Sequence, residues 1–133
     1  MSSVVLDASA LLAFLNEESG AEVVEQALGR GAWMSIVNWA EVISKAAEMG
    51  AEPARVREEL IQMGVLGKAL EIVALTDEDA LEIARLRPAT RTLGLSLGDR
   101  ACLALGQRLG VPVLTADRLW SQVTLDLEVR LIR

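Results

Sequence analysis

Histidine and tyrosine are absent from this chain, and cysteine occurs once, as Cys102. Without histidine there is no Ser-His-Asp or Cys-His catalysis, no imidazole-ligated zinc and no histidine pH switch. One thiol makes no intrachain disulfide. That cysteine usage fits a reducing, cytoplasmic setting, and Cys102 itself reads as a small buried hydrophobe. Positive charge is also scarce: the net charge is −6, which argues against broad phosphate-neutralising contact with a nucleic acid. Met1-Ser2-Ser3-Val4 lacks the basic start of a secretory leader, and no uncharged apolar run reaches membrane-spanning length. Acid–base or metal chemistry must therefore run on carboxylates, hydroxyls, lysine, arginine and water.

What is present is an apolar chain, 52% hydrophobic over 133 residues, enough for one domain covering residues 1–133 with a real core. Val4-Val5-Leu6 reads as a strand, followed by a helix over Ala8 to Leu15. Ser19 is placed to cap a helix over Ala21 to Leu28, with Gly29 and Gly31 ending it. Trp33 to Val37 reads as strand two, with Asn38 capping a helix over Trp39 to Met49. Pro53 opens a helix to about Met63, and Leu70 to Leu75 reads as strand three. Thr76 starts a helix expected to stop at Pro88, and Ser96 caps one over Leu97 to Leu109. Val113 to Thr115, a short helical turn over Asp117 to Trp120, and Val129 to Ile132 close the series. Strands alternating with helices predict a three-layer α/β/α fold around a central parallel sheet.

Four acids stand at or near the points where strand-like runs give way to helix-like ones: Asp7, Glu41, Asp99 and Asp117. In a parallel sheet, ligands bind in the crevice beyond the carboxyl ends of the strands. Each acid has a local explanation. Asp7 and Asp117 can cap helices, Asp99 stands at the capping-box offset from Ser96, and Glu41 can pair with Lys45 one turn on. As a set, they would repel one another in a shared pocket unless divalent cations neutralised them.

The motifs Val4-Val5-Leu6-Asp7-Ala8-Ser9-Ala10, Asn38-Trp39-Ala40-Glu41-Val42, Leu95-Ser96-Leu97-Gly98-Asp99-Arg100 and Val111-Pro112-Val113-Leu114-Thr115-Ala116-Asp117 resemble, in order, the four acidic motifs of PIN domains. Length and spacing are most similar to VapC-type toxins of toxin–antitoxin pairs. The resemblance implies a metal-dependent endoribonuclease, with Asp7, Glu41, Asp99 and Asp117 holding one or two Mg²⁺ or Mn²⁺ ions. Water would attack an RNA phosphodiester in line, leaving a 5′-phosphate and a 3′-hydroxyl. Ser9 and Thr115 would be second-shell partners or phosphate contacts, and Asn38 would join them or, as favoured here, merely cap its helix. The fourth position, Asp117, often acts through water or varies in the family. The resemblance further implies a homodimer and a cognate antitoxin whose C-terminal segment crosses the site groove.

The arginines Arg85, Arg87, Arg91, Arg100 and Arg118 would form a local positive rim, or be solvated or paired with Glu78, Asp79 and Glu82. Trp33 reads as core, while Trp39 and Trp120 are expected to pack at a partner interface. Rival readings lack their marks. A response-regulator receiver needs an acidic neighbour beside Asp7, and a haloacid-dehalogenase-type phosphatase needs a second acid where Ser9 stands. The remaining alternative is a PIN-fold binding or assembly module without activity.

Overall fold

The computed structural model describes residues 4–133. The strands are β1 (Val4–Leu6), β2 (Ala32–Ser35), β3 (Leu70–Val73), β4 (Val113–Thr115) and β5 (Val129–Leu131). The helices are α1 (Ala8–Leu15), α2 (Ala21–Arg30), α3 (Ile36–Glu48), α4 (Pro53–Gln62), α5 (Asp77–Thr90) and α6 (Leu97–Leu109). Short 3₁₀ turns cover Arg91–Leu93 and Arg118–Gln122. The sheet is parallel throughout, in the order β3-β2-β1-β4-β5.

Alternation along each strand separates two cores, one on each face of the sheet. Val4, Leu6, Met34 and Leu114 face a core shared with α1 to α4. Val5 and Val113 face a core built largely from α5 and α6, with Trp120 sealed inside it. The three-layer α/β/α arrangement read from the sequence is therefore the one observed. The path from β1 to β2 leaves on one side of β1, and β4 returns on the other. The topological switch point accordingly lies between β1 and β4, beside the start of α1.

Several boundaries differ from expectation. Strand β2 ends at Ser35, not Val37, because the buried Ser35 hydroxyl accepts from the Asn38 backbone N–H and caps α3. Asn38 is thus inside the first turn of α3 rather than its cap. Gly20, not Ser19, caps α2, in a left-handed conformation at φ +95°. A Cβ there would lie 2.7 Å from the Ile132 carbonyl oxygen, so the close pass of the chain after β5 requires glycine. Helix α5 continues through Pro88 to Thr90. Pro88 and Ala84 are exposed, which leaves the Ala84 carbonyl open to water, while Leu86 and Thr90 bury on the opposite face. Strand β3 ends two residues before Leu75. Trp39 and Trp120 are core residues at 6% and 0% exposure, not interface side chains. Trp33 is half-buried, its indole N–H donating to Glu71.

Candidate active site

The buried Asp7 ends β1 and caps α1, its Oδ1 accepting from the Ala10 backbone N–H at 2.8 Å. Its carboxylate also accepts from two hydroxyls, Thr115 Oγ1 at 2.6 Å and Ser9 Oγ at 2.8 Å. Those hydroxyls are fixed in turn. The Ala116 N–H donates to Ser9, and the Asp117 N–H donates to Thr115. Each hydroxyl has one proton, and both protons go to Asp7. Even so, burial dominates and pushes the Asp7 pKa up to about 6; the three donors oppose it, and the charge on Asp99 adds to it.

Glu41 projects from α3, where Asn38 precedes it by three residues on the same face. Asn38 is buried. Its Oδ1 accepts from Ser35 Oγ, and its Nδ2 donates to Glu41 Oε1 at 2.8 Å and to the Gly98 carbonyl at 2.9 Å. This one amide therefore ties the end of β2, helix α3 and the first turn of α6 together. Asp99 closes a capping box with Ser96 and starts α6. Asp117, after β4, accepts the Leu119 N–H on Oδ1.

Three of the local explanations thus hold: Asp7 and Asp117 are caps, and Asp99 completes the capping box of Ser96. They are also neighbours. Asp7, Glu41, Asp99 and Asp117 line one cavity of about 220 Å³, together with Ala8, Ser9, Leu12 and Lys45. Capping uses one oxygen of Asp99 and one of Asp117, as the Asn38 amide uses one of Glu41. The second oxygen of each makes no hydrogen bond among the described residues. The fully buried Cys102 thiol registers the convergence. Burial first, then the charges of Asp7, Asp99 and Glu41, hold its pKa well above the ordinary value.

The donor set suits a hard divalent cation, being all oxygen, anionic and partly free. As positioned, no three acidic or cysteine side chains among the described residues form a group able to ring one ion. Drawing them closer without a counter-charge would cost Coulomb energy, and a cation would reverse that cost.

Sequence reasoning favoured Asn38 as a helix cap over a partner in the site, although the i, i+3 spacing to Glu41 was visible. It missed Gly98, where a Cβ would collide with the Glu41 carboxylate. Lys45 was read as an ion-pair partner of Glu41, yet no such pair forms. None of Arg85, Arg87, Arg91, Arg100 and Arg118 lines the cavity, and Arg100 donates instead to the Ile83 carbonyl.

A family model, the PIN domain, matches residues 4–125. The chain belongs to the PIN domain family. That family consists of nucleases. Solved structures share the fold of this PIN domain across its length. A toxin–antitoxin complex from Klebsiella pneumoniae contains a chain with TM-score 0.71 and 19% identity, the match covering 98% of each chain. DNA-bound VapBC from Salmonella typhimurium gives TM-score 0.72 at 13% identity, covering 100% of both chains. Mycobacterium tuberculosis VapC20, a toxin that cleaves the sarcin-ricin loop, gives TM-score 0.68 at 10% identity, covering 95% of this chain and 99% of that one. No curated protein matches this PIN domain in sequence. No helix among the described residues is long and apolar enough to cross a membrane.

Proposed function

We propose that this PIN domain is a metal-dependent endoribonuclease, acting as the toxin of a toxin–antitoxin pair, with residues 1–133 forming one functional domain. The observation that carries the reading is the convergence of Asp7, Glu41, Asp99 and Asp117 at the sheet's switch point. The free oxygens of Glu41, Asp99 and Asp117, with the remaining lone pairs of the hydrogen-bonded Asp7 carboxylate, would hold Mg²⁺ or Mn²⁺, as one or two ions. The metal would supply a water nucleophile at neutral pH and offset charge on the phosphodiester.

The chain's own residues supply the orientation. Ser9 and Thr115 donate to Asp7 and keep its carboxylate ionised against the burial that opposes it. Their protons are committed there, which favours positioning of Asp7 over direct phosphate contact. Asn38 fixes Glu41, and the α6 capping box fixes Asp99, so neither carboxylate must be ordered when substrate arrives. Asp117 sits half-buried at the edge, suited to acting through water. Hydrolysis in line would leave a 5′-phosphate and a 3′-hydroxyl.

The partner would be an antitoxin. An apolar groove of about 500 Å³ runs between α1, α3 and α4, lined in part by Leu12, Leu15, Val42, Ala46, Met49 and Val56. It shares Ser9, Leu12 and Lys45 with the acidic cavity, so a segment seated in the groove would lead into the site. The similar toxin–antitoxin structures support this reading, and a homodimer accords with it.

The test is cleavage of RNA by purified protein with Mg²⁺ or Mn²⁺, with EDTA, and with Asp7→Asn or Asp99→Asn. Metal-dependent cleavage lost in both variants is expected. Cleavage that persists in EDTA or in both variants overturns the metal-nuclease reading. A protein that cleaves nothing but still binds a partner through the groove is the inactive module.

A further inference from the structure

Among the described residues, Lys45 is the one basic side chain lining the acidic cavity. It occupies the last turn of α3, one turn beyond Glu41. It also lines the apolar groove and a shallow depression bounded by Val37, Ala40, Glu41, Ser44 and Glu48. Three depressions therefore meet at this ammonium-bearing side chain. Among the described residues it enters no ion pair, although Glu41 is within helical reach and Glu48 lies three residues on. Five other cations are occupied, and Arg30, Arg57, Lys68, Arg85, Arg87, Arg91 and Arg118, which enter no ion pair among the described residues, do not line the acidic cavity. Arg108 pairs with Asp79, Arg130 with Glu128, Arg133 with Glu18, Arg55 with Glu59, and Arg100 binds a backbone carbonyl.

An anionic phosphodiester approaching four carboxylates in a protein of net charge −6 meets repulsion. A cation at the mouth of the cavity, free of an internal partner, is what would offset it. The last turn of α3 also holds the lysine there without an acidic partner, because a positive charge is favoured at a helix C-terminus. A flexible ammonium suits a backbone phosphate, since it acts as a point charge without demanding one geometry.

We propose that Lys45 contacts an RNA backbone phosphate at the edge of the acidic cavity and thereby sets how the strand enters it. The contact is to phosphate, so it carries no base preference. The same charge lowers the site's affinity for divalent cations. The inference rests on the ribonuclease reading for its substrate class, but its principal readout is binding rather than cleavage.

The test compares wild type, Lys45→Ala and Lys45→Arg. Binding of a fluorescent single-stranded RNA is measured in EDTA across a salt series, and cleavage kinetics are measured in Mg²⁺. Lys45 is exposed, so both variants are expected to melt like wild type, which circular dichroism checks. Lys45→Ala is expected to weaken RNA binding and raise KM roughly five- to tenfold with kcat within about twofold. Its salt slope should fall by about 0.7, the loss of one phosphate contact on a single strand. Mg²⁺ binding, read by calorimetry without RNA, should tighten about two- to threefold. Lys45→Arg should restore RNA binding. Unchanged RNA affinity and salt slope in Lys45→Ala overturn the inference, as does a loss of kcat at constant affinity. If wild type binds RNA without cleaving it, the ribonuclease reading fails while the Lys45 assignment is still decided by the salt series. If wild type binds no RNA, both fall.

Discussion

Gly98 and Glu41 are packed so closely that a Cβ on the glycine would lie 2.5 Å from Glu41 Oε1 and 2.9 Å from Oε2. The glycine is in the first turn of α6 and in ordinary helical conformation, so backbone strain is not the reason it is glycine. Space for the carboxylate is.

Gly98→Ala therefore separates stability from activity. Alanine is the better helix former by up to about 1 kcal/mol, and the atoms it displaces are the far end of a flexible side chain. The variant is expected to melt at or slightly above the wild-type temperature while RNA cleavage falls at least about tenfold, because Glu41 is pushed off its hydrogen bond from Asn38. Thermal melts beside cleavage rates check both halves. A variant with full activity would show that the position of Glu41 is irrelevant.

Asn38→Ala should do the reverse on stability. It strands the buried Ser35 hydroxyl and the Gly98 carbonyl, each of which now bonds to the amide. A loss of roughly 1–3 kcal/mol is expected in denaturant unfolding. Activity should fall as well, since Glu41 loses its donor.

Asp7 gives a pH prediction. Its pKa in the fold is about 6 against an ordinary value of 3.8. Well below pH 3.8 the acid is protonated folded or unfolded and burial costs little; the decline begins as the unfolded chain ionises near 3.8. As pH rises through about 6, the folded protein must ionise a buried carboxyl that the unfolded chain ionises freely. Stability attributable to Asp7 therefore declines over that window, by about 3 kcal/mol in all. In EDTA, wild-type stability should fall from pH 4.5 to pH 7 more steeply than that of Asp7→Asn. Equal pH slopes for the two proteins would contradict the burial argument.

Metal should oppose that decline. Mg²⁺ at about 100 times its Kd is expected to add about 2.7 kcal/mol at pH 7, and less at pH 5 where Asp7 is protonated. Asp99→Asn should abolish most of this gain, whereas Asp117→Asn should remove only part of it. Thermal shift titrations at both pH values distinguish the two carboxylates.

Much of this arrangement could be read from the residues in order. Val4-Val5-Leu6-Asp7 and Val113-Leu114-Thr115 are short apolar runs ending at polar groups, and they became adjacent parallel strands. Local signals failed where distant packing decided. Ile36 and Val37 are β-branched and extend the pattern of Trp33 to Met34, yet the Ser35 cap turned them into the first turn of a helix. The role of Asn38 depended on a carbonyl 60 residues away, which no local pattern contains. Pro88 was read as a stop because the cost of proline within a helix is local, while the burial of Thr90 beyond it is not. Lys45 looked like a surface ion pair because helical spacing alone says nothing of the cavity it borders.

The hydroxyl on Thr115 reaches Asp7 across 108 residues of intervening chain. During synthesis, Asp7 is made 108 residues before Thr115, so β4 can settle beside β1 only after that stretch has been made. A ribosome-bound fragment ending before Val113 carries Asp7, Glu41 and Asp99 but neither Thr115 nor Asp117. The acidic pocket is therefore completed only once β4 is in place, and a chain cut short before it lacks both the Thr115 donor and the Asp117 carboxylate.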